Sequence, residues 1–110
     1  MSIIKLPDPI AAYFAADKLD GEAFARCFAE DAVVKDEGKT YSGIAAIRRW
    51  KSETTSKYTY TSEPFRCEES NNSTIVTSRL TGTFPGSPVD LRFFFQLDER
   101  GKITRLEIIP

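Results

Sequence analysis

The sequence predicts a small α+β fold in which three helices lie against a strongly curved, mostly antiparallel sheet. Helical spacing fills the first half of the chain and strand-forming runs fill the second. Short reversals rich in Gly, Asn and Pro separate those runs, so sequence neighbours should pair antiparallel. The last two runs also share a greasy face that needs the helices to cover it. With 110 residues the chain fits one domain, 1–110, with a real core but no room for a separate cofactor-binding domain.

Asp8-Pro9 opens the first helix, the acid placed to cap free amides and the proline set where no donor is lost. Ile10, Tyr13, Phe14 and Asp17 follow at helical spacing and form its inward stripe. A second helix restarts at Asp20-Gly21-Glu22, with Phe24, Cys27 and Phe28 as its apolar face and Glu22, Arg26 and Glu30 toward water. The run from Asp31 to Glu37 is β-rich. Its two-residue period puts Ala32, Val34 and Asp36 on one face, so if the first two meet the core, Asp36 does too. After a turn around Gly38 and Gly43, a third helix runs from Ile44 into the Ser52 to Ser56 region, with Ile47 and Trp50 inward and Arg48, Arg49 and Lys51 outward.

Four strands follow: Tyr58 to Glu68, Thr74 to Phe84, Val89 to Leu97 and Lys102 to Ile109. Ser70-Asn71-Asn72-Ser73, Pro85-Gly86-Ser87-Pro88 and Asp98-Glu99-Arg100-Gly101 supply the reversals. With Arg100-Gly101 as a two-residue loop, Phe95 faces Leu106 and Phe93 faces Ile108, while Phe94 faces Glu107 and Gln96 faces Arg105 on the other surface. Val89, Leu91 and Leu97 join the first set against the helices. Asp90 and Arg92 join the second, where an aromatic flanked by both signs of charge suits a homodimer interface.

Composition removes several function classes. The formal net charge of −1 leaves no electrostatic footprint for nucleic acid or an anionic membrane. The chain has no histidine, which removes Ser/His/Asp and Cys/His nucleophiles and most metal hydrolase sites, and Cys27 and Cys67 do not make a zinc set. No metal and no cofactor are expected. No signal peptide or membrane span is legible at the start, and the free thiols fit a cytoplasmic protein.

Several strings then resemble one family in order and spacing: Phe28-Ala29-Glu30-Asp31-Ala32-Val33-Val34 with Asp36, Tyr41-Ser42-Gly43 leading to Ile47 and Trp50, Phe84-Pro85-Gly86-Ser87-Pro88, and Leu97-Asp98-Glu99-Arg100-Gly101-Lys102-Ile103. They are similar to the SnoaL-like branch of the nuclear transport factor 2-like superfamily. The resemblance implies a cone-shaped α+β barrel with a pocket for a small apolar or aromatic molecule, serving isomerases, cyclases, dehydratases, epoxide hydrolases or non-catalytic binding subunits. The ketosteroid isomerases of this fold use a tyrosine on the first helix as donor and an aspartate ending the first strand as base; Tyr13 and Asp36 match those positions. Their second, protonated aspartate falls on Phe93, which cannot donate, so steroid isomerisation itself is not implied.

Asp36 and Tyr13 are therefore the candidate catalytic pair, for cofactor-free proton transfer beside a carbonyl. A carboxylate on an apolar face is desolvated and its pKa rises; a structural acid at the sheet edge is the alternative. Tyr13 either donates to a developing oxyanion or is a core residue with its hydroxyl at the pocket mouth. Phe14, Phe24, Phe28, Val34, Trp50, Tyr58, Tyr60, Phe84, Phe93, Phe95, Leu106 and Ile108 are the candidate ligand-binding wall. Asp90, Arg92 and Glu107 form a third candidate set, resembling the water-activating cluster of the fold's epoxide hydrolases, although the strand pairing puts them on the outer face.

Overall fold

The computed structural model describes residues 5–16, 21–57 and 59–110, with backbone alone at 21, 55 and 57. Asp17 and Tyr58, both singled out in the sequence, lie outside the described residues. Helix α1 (Asp8–Ala16) begins where the Pro7 carbonyl accepts from the amides of Ile10 and Ala11. Asp8 and Pro9 thus occupy its first turn, where an acid meets the positive helix end and a missing amide costs nothing. Ile10, Tyr13, Phe14 and Ala16 form its buried stripe.

Helix α2 (Gly21–Ala25) is shorter than predicted, and Cys27 and Phe28 do not belong to it. Phe28 instead opens strand β1 (Phe28–Asp36), because the C-terminal strand captures it: Phe28 pairs with Ile103, whose amide donates to the Cys27 carbonyl at 2.9 Å. Phe28 is buried all the same, so its hydrophobicity was legible and its backbone state was not. Strand β2 (Lys39–Ser42) was not expected either. Glu37 (φ 54°) and Gly38 (φ 78°) make a two-residue reversal that pairs Asp36 with Lys39. This largely exposed edge strand has no apolar alternation to announce it.

Helix α3 (Ile44–Lys57) packs on α2, β1 and β2 and buries Ile47 and Trp50. Lys51 corrects the expected outward set. It is 8% exposed, and its Nζ lies 5.1 Å from the centroid of the Phe24 ring. A lysine stem lies readily along apolar surface while its ammonium meets an aromatic face.

Strands β3 (Tyr60–Ser70), β4 (Ser73–Gly82), β5 (Val89–Leu97) and β6 (Ile103–Ile109) complete a sheet of order β2-β1-β6-β5-β4-β3. Neighbours are antiparallel except β1 and β6, which run parallel. Bulges in β1, in β3 after Pro64 and beside Leu97 bend it. Pro64 is tolerated because β3 is an edge strand.

The predicted β5–β6 register holds, with Phe93 opposite Ile108 and Phe95 opposite Leu106. The loop is nevertheless one residue longer than read. The Asp98 amide donates to the Lys102 carbonyl at 2.9 Å and Gly101 takes φ 78°, a three-residue turn ending in a left-handed glycine. The irregularity between Gln96 and Leu97 absorbs the extra residue and restores the pairing. Among the described residues, no helix is long and apolar enough to cross a membrane.

Candidate functional site

Two kinds of packing meet on the concave face of the sheet. At one end, α1 and α2 press an aromatic cluster onto β5. Tyr13 is its hub, with ring centroids 5.0 Å from Phe14, 5.2 Å from Phe24 and 5.1 Å from Phe95. At the other end a cavity of about 860 Å³ opens. Ile108, Phe93, Leu91, Val89, Leu80 and Ser62 floor it, and Tyr13, Phe24, Trp50 and Lys51 come down from the helices. The β1–β2 turn and the Phe84-Pro85-Gly86 loop form parts of its rim. Tyr60 also lines it, opposite Gly82, where a Cβ would run into the Thr59 carbonyl and Tyr60.

Asp36 reaches this cavity because it ends β1 on the same face as buried Ala32 and Val34 and pairs with Ile108. Trp50 Nε1–H donates to its Oδ2 at 3.0 Å, tying β1 to α3. Burial raises the Asp36 carboxyl above its ordinary value; the indole hydrogen bond opposes this, the Glu37 charge adds to it, and the Glu37 backbone amide opposes it. Tyr13 is 3% exposed, so it lies within the aromatic cluster on the cavity wall rather than at a wet mouth.

Of the predicted ligand wall, Phe24, Trp50, Tyr60, Phe84, Phe93 and Ile108 line the cavity. Phe14, Phe28, Val34, Phe95 and Leu106 do not; they are buried in the core behind it. The reason is depth: periodicity assigns a residue to the inner face but not to the part of that face the helices leave uncovered. Lys51, Ser62 and the β1–β2 turn were missed. The polar residues gave no apolar signal, and the turn belongs to a hairpin the sequence did not announce.

Asp90, Arg92 and Glu107 stand on the outer face of the sheet and not in the cavity, which removes the epoxide-hydrolase comparison. Asp90 is instead held by Arg79 of β4, Nε to Oδ1 at 2.9 Å and Nη2 to Oδ2 at 3.3 Å. That partner holds the Asp90 carboxyl below its ordinary value. Arg92 donates to the Pro110 carbonyl and lies over the Phe94 ring. Among the described residues no group of three or more His, Cys, Asp and Glu side chains could hold a metal ion.

The SnoaL-like domain family matches residues 10–106, from within α1 to within β6. The chain belongs to that family. This SnoaL-like domain is similar to a Sinorhizobium meliloti protein provisionally described as a polyketide cyclase, at 40% identity and a TM-score of 0.89 over 94% of this chain and 95% of that one. It shares its fold with a Catenulispora acidiphila protein of ketosteroid isomerase-like fold crystallised with trimethylamine, at 18% identity, TM-score 0.83 and coverage of 96% and 87%. It shares it too with a nuclear transport factor 2-like protein of Cytophaga hutchinsonii, at 13% identity, TM-score 0.76 and coverage of 98% and 91%. None of the curated proteins matches the sequence.

Proposed function

We propose that this SnoaL-like domain binds a small apolar or aromatic molecule in the cavity and moves a proton on it without a cofactor, with Asp36 as base and Tyr13 as hydrogen-bond donor. The observation that carries this is the placement of Asp36, a desolvated carboxylate beside Trp50, Phe93 and Ile108 on the cavity wall. Burial of this kind brings a carboxylate toward the pH at which it both ionises and accepts a proton usefully. A carboxylate has roughly four lone-pair positions, and the Trp50 indole and the Glu37 amide use two of them. The remaining capacity is available to a C–H acid lying on Phe93 and Ile108. Removal of that proton puts charge on the adjoining carbonyl oxygen, which the Tyr13 phenol would stabilise. Phe93 supplies no second donor, so the substrate must be acidic enough to enolise with one. A β-dicarbonyl or aryl ketone meets that need, in keeping with the cyclase description of the 40% identical relative.

A non-catalytic binding module is the second reading, and the Trp50–Asp36 bond favours it, since a carboxylate that anchors a helix to a strand already has a structural use. Exchange of the α-protons of 2-tetralone in D₂O, followed by NMR, separates the two. The wild type should exchange them faster than buffer, and Asp36→Asn should lose on the order of 10²-fold or more of that rate, with 2-tetralone affinity largely kept. Tyr13→Phe should lose less. Equal exchange by Asp36→Asn and wild type would leave the binding module as the function.

The outer face is proposed as a homodimer interface, supported by Phe94 and the 39% exposed Phe65, each lying under an arginine, with Asp90 and Glu107 nearby on the same face. The free thiols of Cys27 and Cys67 support a cytoplasmic location. Nucleic acid and membrane are not proposed as partners.

A further inference from the structure

Ser78 is fully buried on the inner face of β4, and its hydroxyl lies 2.7 Å from that of Ser62 on β3. Each hydroxyl carries one proton, so one of the two donates to the other and the second proton must go elsewhere. If Ser62 donated, the Ser78 proton would be left in a buried layer; among the described residues its hydrogen-bond partner is Ser62 alone, and its neighbours across the strands are Leu91 and Pro64. A buried donor without an acceptor costs more than a hydrogen bond gains. If Ser78 donates, both groups are satisfied, because Ser62 lines the cavity and its own proton then points there. Hydrogen-bond accounting thus fixes the polarity of the pair: Ser78 to Ser62, and Ser62 to whatever fills the cavity.

We propose that Ser62, oriented by Ser78, is a specificity-determining donor for a carbonyl, ether or hydroxyl oxygen at the end of the ligand remote from Asp36. Ser62 and Asp36 belong to strands at nearly opposite ends of the sheet order, with β6, β5 and β4 between them, and line the same cavity. Strand spacing puts them roughly 19 Å apart along a flat sheet and closer across a curved one. The floor between is Leu80, Val89, Leu91, Phe93 and Ile108, so on the described sheet floor the serine is the polar group at the end remote from Asp36. The ligand class that fits is an elongated, fused or linked aromatic or alicyclic molecule, enolisable at one end and oxygenated at the other. This deepens the proposed function and rests on the cavity being the binding site.

The chain has a single tryptophan, Trp50, on the cavity wall, so its fluorescence reports occupancy. The probes are 6-methoxy-2-tetralone and 2-tetralone, the same enolisable ketone with and without a remote ether oxygen, titrated against wild type, Ser62→Ala, Ser62→Thr and Ser78→Ala. Wild type should prefer the methoxy ketone by about fivefold, the worth of one net hydrogen bond. Ser62→Ala should abolish that preference while still binding 2-tetralone, Ser62→Thr should keep it, and Ser78→Ala should reduce it by releasing the Ser62 proton to rotate. The ratio is insensitive to a general loss of folding, which lowers both affinities together. Equal affinity for the two probes in wild type, or an unchanged preference in Ser62→Ala, overturns the Ser62 assignment alone. Absence of quenching by either probe overturns the apolar binding site itself, and the assignment with it.

Discussion

Asp36 and Asp90 stand on opposite faces of one sheet, the first beside Ile108 on the cavity wall and the second beside Arg79 in water, and their carboxyls shift in opposite directions. Burial raises Asp36. The guanidinium fork lowers Asp90, against a weaker opposing effect of desolvation. Two aspartates at the same two-residue period of their strands thus acquire different chemistry from what covers them. The inner one is costly to ionise, as the proposed proton transfer requires; the outer one is readily ionised and pairs with Arg79 across the β4–β5 register.

The sharpest break of this comparison is at the core that separates the two faces. Phe95 is fully buried against Tyr13, whereas Arg92, three residues earlier on the same strand, is exposed. Phe95→Ala should cost about 3–5 kcal/mol in urea unfolding, and Arg92→Ala about 1 kcal/mol or less. Comparable losses at the two positions would mean that the faces are not inner and outer at all.

A smaller effect, with a sign that differs between the faces, is expected on pH. A carboxyl raised by folding contributes stability fully below its unfolded value and loses it as pH rises through the higher folded value; Asp36 is of this kind. Asp90 is of the opposite kind, its contribution present above the unfolded value and lost as pH falls through the depressed folded one. Carboxyl carbon shifts through an acid titration should give a midpoint above the ordinary aspartate value for Asp36 and below it for Asp90. Asp36→Asn should flatten the fall in stability above the ordinary carboxylate range, and any Asp36-dependent turnover should rise with pH through the same midpoint. A midpoint at or below the ordinary value for Asp36 would remove the support for a base.

The smallest effect belongs to the outer face as an interface. Phe94→Glu should weaken the proposed dimer in sedimentation without lowering monomer stability appreciably, since Phe94 packs beneath Arg92 rather than in the core. A wild-type chain that stays monomeric at high micromolar concentration would leave the outer face without that role.

Much of this was legible in the chain itself. Period two in β1 and β5 sorted Asp36 and Phe93 inward and Asp90 and Arg92 outward, because a strand side chain has only two directions and the apolar ones must agree on one. The Asn71-Asn72 reversal, with φ 47° and 65°, was announced by residues that tolerate the left-handed region. Local rules suffice where the partner is a sequence neighbour. They fail where the partner is remote: nothing near Phe28 says that Ile103 will pair with it, and so end α2 early. Likewise β2 exists because β1 offers it an edge, Lys51 is buried because α2 brings Phe24 beneath it, and Arg79 rather than Arg92 holds Asp90 because the β4–β5 register sets them opposite. Sequence by itself determined which residues are apolar, where the chain turns and which face each strand residue takes. Only the tertiary structure decided where helices and curved sheet fail to touch, and hence which inner residues border the cavity, because that gap depends on the placement of whole elements and not on any local period.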